Sequence, residues 1–190
     1  LIPFEHFKQL NYEFLRSKIN SIDLRPYSSA IQNETYRKYF IKNAGAEHYK
    51  LLAFFSMCFE NHQLFDIGTH IGGSSIALAF NSKNVVVSYD VVNCRELQNP
   101  PSNIIYEIGD FRLDSEVLSS PLIFIDVDHN GRDETMFHEF FIKNKYRGIV
   151  VWDDIHLNPD MKHFWNSVEL EKLDLTAIGH ETGTGLIIYN

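Results

Sequence analysis

Four aspartates each stand where a short apolar run stops: Asp66 after 62–65, Asp90 after 85–89, Asp126 after 122–125, and Asp153 after 148–152 with Asp154 directly behind it. A carboxylate can accept a pair of hydroxyl hydrogens, exchange a proton, or ligate a hard cation. Any one of them could simply cap the helix or turn that follows. All of them together point to one polar crevice, because converging carboxylates repel each other unless a cation or a hydroxyl-bearing ligand satisfies them.

The first aspartate opens a glycine loop, Asp66-Ile67-Gly68-Thr69-His70-Ile71-Gly72-Gly73-Ser74. Glycines permit a tight turn and a close approach of ligand to backbone. A helix after such a loop presents free N–H groups and the positive end of its dipole. The spacing is not the dinucleotide pattern G-x-G-x-x-G. Asp90 lies about 20 residues further on at the end of the next run, where an acid can accept both hydroxyls of a ribose. The loop alone can be purely structural; the pair is more specific for a nucleoside.

The runs that carry these acids must be strands. They are short, rich in Val, Ile, Leu and Phe, and lack polar alternation, as expected for a parallel sheet covered on both faces. Residues 104–108 read as a further strand, ending at Gly109-Asp110. Helices are expected at 74–80, 134–146 and 161–168, alternating with the strands, and 173–178 and 186–189 read as a closing antiparallel pair. Upstream, Phe4, Phe7, Leu10, Phe14, Leu15 and Ile19 approximate a helical stripe that Arg25-Pro26 breaks, a second helix follows Asn33, and 46–59 reads as a mostly buried helix after Gly45. The fold class is therefore α/β, a doubly wound and mostly parallel sheet with a C-terminal antiparallel strand pair. Ligands of such sheets bind at the carboxyl ends of the strands. Residues 1–44 are expected to form a helical cover and 45–190 the main domain.

The glycine loop resembles motif I of class I S-adenosylmethionine-dependent methyltransferases, with Asp66, Gly68 and Gly72 matching (Asp/Glu)-x-Gly-x-x-x-Gly. The resemblance runs through most of the chain and implies a Rossmann-like seven-stranded sheet. It makes Asp90 the ribose acid and places Asp110 near adenine. It sets the segment Ala44 to Tyr49, with Gly45, over the methionine end, puts Ser74 at the methionine carboxylate, and leaves His70 packed beside the cofactor. The late acids, Asp126 with Asp153-Asp154, are similar to the magnesium site of the catechol-type and macrocin-type O-methyltransferases. There, oxygen ligands hold Mg²⁺ against an acceptor hydroxyl. The implied reaction is methyl transfer to a hydroxyl of a small sugar- or phenol-like acceptor. Catechol-type enzymes place a lysine three residues after the first of these acids; here His129 stands there and becomes the candidate base. Asp128 could orient His129 or join the metal shell, and His156 is a weaker candidate base. The resemblance also sets the glycine-containing tip 181–185 close to the site.

Other readings use fewer of these residues. A nicotinamide-dependent oxidoreductase lacks its third glycine. A metal-assisted hydrolase leaves the loop and Asp90 unexplained. A cofactor-binding module without catalysis would use the loop alone.

The bulk properties bound the class. A length of 190 residues suits a single domain with a full core. A net charge of −8 argues against nucleic acid as a partner. No apolar run is long enough to cross a bilayer, and the first residues lack the charged and apolar regions of a signal peptide. Cys58 and Cys94 form no spaced pair, and Cys58 reads as a buried small hydrophobe, so a reducing, cytoplasmic setting is expected. The N-terminal stripe fits a cover over the sheet or a homodimer surface. Trp152 and Trp165 read as packing residues.

Overall fold

A computed structural model describes residues 12–190. A seven-stranded sheet runs through it in the order β3-β2-β1-β4-β5-β7-β6. Its strands are β1 (Gln63–Ile67), β2 (Val85–Asp90), β3 (Ile104–Ile108), β4 (Leu122–Ile125), β5 (Gly148–Asp153), β6 (Lys172–Asp174) and β7 (Thr184–Tyr189). The first five pair in parallel, and β7 is antiparallel to both β5 and β6. This is the doubly wound sheet with a closing antiparallel pair that the alternating pattern implies.

Each central strand is buried on both faces, so its residues divide by period two between two cores. Leu64, Val86, Leu122, Phe124, Ile149, Val151 and Leu186 face one side. Helices α1 (Tyr12–Asn20), α2 (Arg25–Ser28), α3 (Glu34–Phe40), α4 (Tyr49–Ser56) and α5 (Gly73–Leu78) supply the described helices of that layer. Phe65, Ile67, Val87, Ile123, Ile125, Val150 and Ile187 face the other side, under α6 (Arg132–Lys143) and α7 (Pro159–Ser167). Trp152 is fully buried against Phe164, and Trp165 is buried with Lys172 over its ring, so both tryptophans are packing residues.

Residues 12–44 share the first core with 45–190. Leu15, Ile19, Ile22 and Leu24 pack among the sheet residues, whereas Phe14 is exposed; Phe4, Phe7 and Leu10 lie outside the described residues. Arg16 donates to the carbonyl of Ala177 through Nε and Nη2 at 3.1 and 2.7 Å. Residues 30–32 bridge to 96–98 through backbone hydrogen bonds, which sets α3 beside the glycine loop. Among the described residues no helix is long and apolar enough to cross a membrane.

Several boundaries differ from the sequence expectation. β1 extends to Ile67, so Asp66 lies inside the strand rather than at its tip. β5 includes Asp153 and leaves Asp154 as the first residue beyond. α4 begins only at Tyr49, with His48 as its N-cap and residues 44–46 in a turn before it. α6 starts at Arg132 rather than 134, directly after Gly131, and ends at Lys143. α7 starts at Pro159, where Asn158 caps it by accepting from the N–H of Met161. Of 173–178, only the first residues are strand; Thr176–Ile178 is a 3₁₀ turn. Cys58 is half-buried, with burial raising its thiol to about 12.

Candidate active site

The chain leaves β1 toward β2 on one side, while β4 enters the sheet on its other side. The carboxyl ends of β1 and β4 therefore flank the topological switch point, where a ligand crevice opens. The glycine loop leaves β1 there. Gly68 has φ +97°, and a Cβ on it would lie 1.6 Å from the backbone oxygen of Asp126 at the end of β4. Only a residue without a side chain lets these two strand ends meet. The turn is held by N–H groups of Gly68 and Thr69 donating to the carbonyl of Tyr89 at 2.8 and 3.1 Å.

Asp66 sits beneath this turn and is fully buried. Its Oδ2 accepts from the Ser88 hydroxyl at 2.6 Å, and Ser88 in turn shares a 2.7 Å hydrogen bond with Thr69. Burial raises Asp66 to about 7, with Asp126 adding to the rise and the Ser88 and Ser74 side chains opposing it. The folded chain thus holds a proton that the unfolded chain releases near pH 4. Stability should fall as pH rises from about 4 to about 7, by roughly 2–4 kcal/mol. Asp66→Asn should flatten this slope; urea unfolding at pH 4.5 and 7.5 compares the two, and equal slopes in both chains would exclude the assignment.

Asp90 ends the neighbouring strand on the same edge of the sheet as Asp66. Its Oδ2 accepts from the backbone N–H of His70 at 2.8 Å, so the acid and the loop are physically joined. Asp90 borders a small cleft with Thr69, Arg95 and Glu107. A second cleft is lined by Gly68, Thr69, His70, Ser74, Tyr36, Tyr49 and Asp126, among others. His70 meets Tyr36 edge to face at 5.2 Å. Gly72 precedes α5 and accepts from the Ser75 hydroxyl at 2.9 Å.

Two of the expected cofactor residues are held by neighbouring groups. Asp110 caps a 3₁₀ turn and is held by the Arg112 guanidinium at 2.6 Å, which keeps its carboxyl below the usual range. Gly45 docks its loop on 177–179: its N–H donates to the carbonyl of Gly179 at 2.8 Å, and a Cβ would lie 2.9 Å from the Ala177 oxygen. That docking carries Glu47 and His48 toward the ends of β4 and β5.

Beside the second cleft, Asp126, Asp153 and Asp154 meet three imidazoles. His48 Nδ1 lies 3.2 Å from Asp153 Oδ1. His129 Nε2 lies 3.1 Å from Asp126 Oδ1 and 3.5 Å from Asp154 Oδ2. His180 Nδ1 lies 3.4 Å from Asp153 Oδ1 and 3.1 Å from Asp154 Oδ1, and its Nε2 is 3.8 Å from Glu47. The Thr182 hydroxyl donates to Asp154 Oδ1. The backbone of His129, at φ +52°, is clamped by its N–H donating to Glu134 and by Asn158 donating to its carbonyl.

The charges hold one another in place. Burial disfavours ionisation of Asp153, yet His48 and His180 keep its carboxyl well below the usual range. Burial and Asp153 push Asp126 up, against the pull of His129. Burial would lower the imidazoles, but the carboxylates overcome it, raising His129 to about 9 and His180 to about 11. Buried carboxylates that need protonated imidazoles to stay ionised are a donor set that fits a divalent cation.

Sequence reasoning missed His48, His180, Glu47 and Thr182 as members of this cluster. Glu47-His48 carried one trace, a polar pair directly before a helix buried almost throughout. Thr182 carried none beyond lying in the glycine-containing tip 181–185, and His180 none beyond standing next to it. His156, the weaker base candidate, pairs instead with Asp174 at 2.7 Å.

No protein-family model matches the chain, and no curated protein matches it in sequence. Solved structures do match. The methyltransferase PaMTH1 of Podospora anserina, bound to SAH, aligns with 100% of this chain and 98% of its own, at a TM-score of 0.58 and 13% identity. The O-methyltransferase TomG of Streptomyces achromogenes, in complex with SAM, aligns with 96% of this chain and 100% of its own, at a TM-score of 0.54 and 14% identity. At such identities the likeness establishes the fold, a Rossmann-like one shared with methyltransferases.

Proposed function

We propose that this chain transfers the methyl group of S-adenosylmethionine to a hydroxyl of a small acceptor, sugar- or phenol-like, assisted by a divalent cation. One observation carries the reading: Asp126 borders both the cleft of the glycine loop and the cluster of acids and imidazoles, so a methyl donor in the first would stand beside an acceptor held at the second. In this reading the turn at Gly68 and Gly72 receives the cofactor, with Asp66 bracing it from below. Asp90 takes the ribose hydroxyls. Ser74 and His70 line the methionine end, Gly45 positions the loop that covers it, and Asp110 closes the adenine side through its backbone.

Asp126 and Asp153, with Asp154 beside them, would hold the cation, magnesium being the ion the resemblance implies. When bound, it lowers the pKa of the acceptor hydroxyl and orients its oxygen. The reaction is an in-line displacement: the oxygen–carbon bond forms as the sulfur–carbon bond breaks, S-adenosylhomocysteine leaves, and the hydroxyl proton passes to Nε2 of His129. His129 can accept it only after shedding the proton that the carboxylates now favour.

Calorimetry should show S-adenosylhomocysteine binding in the micromolar range, about −8 kcal/mol, and absence of binding would reject the proposal. His129→Ala should lower turnover by about 100-fold with S-adenosylhomocysteine affinity kept within about threefold. Unchanged turnover, followed by mass spectrometry of the methylated acceptor, would remove His129 as the base.

A further inference from the structure

We infer that His48, with Asp126 and Asp153, forms the primary ligand set of the cation, and that the ion selected is one that accepts imidazole nitrogen. This deepens the metal half of the proposed function and rests on that reading for the location of the site. One ligand atom from each of the three residues lies within 4.8 Å of the others. Their positions in the chain are far apart: His48 immediately precedes α4, while Asp126 and Asp153 stand at the ends of adjacent strands.

Orientation carries the argument further. His48 is 2% exposed and Asp153 4%. Neither ring nitrogen of His48 has a hydrogen-bond partner, nor has Asp153 Oδ1, although His48 Nδ1 and that oxygen are only 3.2 Å apart; His129 Nε2 is likewise unpartnered, but its side chain is 20% exposed and only one of its nitrogens is in that state. Two buried polar atoms that attract as charges but miss hydrogen-bond geometry are not saturated by each other and can both turn to an ion. Ligands of one metal ion stand in that relation. With bonds near 2.1 Å, neighbouring ligand atoms are separated by about 3.0 Å in an octahedron and about 3.4 Å in a tetrahedron.

Asp154, the third carboxylate expected from the sequence, is engaged elsewhere. Its Oδ1 meets the Thr182 hydroxyl and His180, and its Oδ2 faces His129. Asp126, Asp153 and Asp154 do not gather as a triple; each candidate trio among the described residues includes a histidine. Magnesium favours carboxylate and water oxygens, whereas imidazole suits zinc, iron, nickel and copper. The mixed set of one nitrogen and two carboxylates therefore favours a transition metal and leaves open positions for an acceptor oxygen.

The test uses the metal alone. The chelator-treated chain and its His48→Gln and His129→Gln variants are titrated with Co²⁺, followed by visible absorption and thermal melting, and loaded with Mn²⁺ for pulsed electron paramagnetic resonance. Wild type should show nitrogen coupling to Mn²⁺. The coupling should vanish in His48→Gln and persist in His129→Gln, and Co²⁺ affinity should fall at least about tenfold in His48→Gln. Coupling that persists in His48→Gln, or unchanged Co²⁺ affinity there, would overturn the assignment. If His48→Gln does not fold, the other two chains decide: coupling absent from wild type, or abolished in His129→Gln, overturns it. Calorimetry with S-adenosylhomocysteine on the same wild-type sample keeps the two ideas apart. Loss of that binding alone would sink the transfer reading and leave the ligand set standing.

Discussion

Gly68→Ala is expected to destroy the glycine turn and with it all measurable S-adenosylhomocysteine binding. Backbone strain and steric overlap act together. At φ +97° an alanine is strained by about 1–2 kcal/mol. The overlap is the more severe of the two: the new methyl would sit 1.6 Å from the Asp126 carbonyl oxygen, less than half of a normal contact. Neither strand end can yield easily, because the Asp126 N–H donates to the Ile67 carbonyl at 2.8 Å and ties β4 to β1 just there. Relieving the overlap means separating β1 from β4 at the switch point. A loss of about 3 kcal/mol or more is expected, a fall in Tm of roughly 10 °C for a chain of this size. Calorimetric titration together with thermal melting checks both. A variant that melts like wild type and still binds would show that the turn does not have the proposed role.

Asp153→Ala should be the most damaging change in the acid and imidazole cluster. Asp153 is nearly inaccessible and lies within 3.4 Å of both His48 and His180. Its removal leaves His48 fully enclosed without the carboxylate that stabilises its charge. Breaking a buried pair typically costs about 3–5 kcal/mol; here the lower end applies, because imidazole can release its proton. Turnover should fall by a hundredfold or more, since the same carboxylate would ligate the cation. Urea unfolding reads the first effect, and single-turnover methyl transfer with excess metal reads the second. Asp153→Asn retains the shape and should recover stability better than turnover. Equal recovery of both would reduce Asp153 to a structural residue.

The contrast between Asp66 and Asp126 shows how far local pattern reaches. Both follow apolar residues in short strands, and that position alone assigns both to one crevice. In the fold Asp66 lies one residue inside its strand, facing the core under α5, while Asp126 stands in the opening. The difference is two residues along the sheet, for Asp66 lies beside Phe124 and Asp126 two residues beyond it on the same face; in strands buried on both faces no polar side marks where the strand ends.

The apolar runs and their spacing by themselves determined the parallel sheet, its antiparallel close, and the edge on which the acids and the glycine loop lie. These are local properties, set by side-chain periodicity and by the right-handed rule for crossovers. Only the tertiary structure decided which donors meet. His48 reaches Asp153 because Gly45 docks on Gly179, and His180 reaches Asp154 because β7 returns beside β5. Contacts between residues on different elements depend on how whole elements pack, and no neighbouring residue carries a record of them.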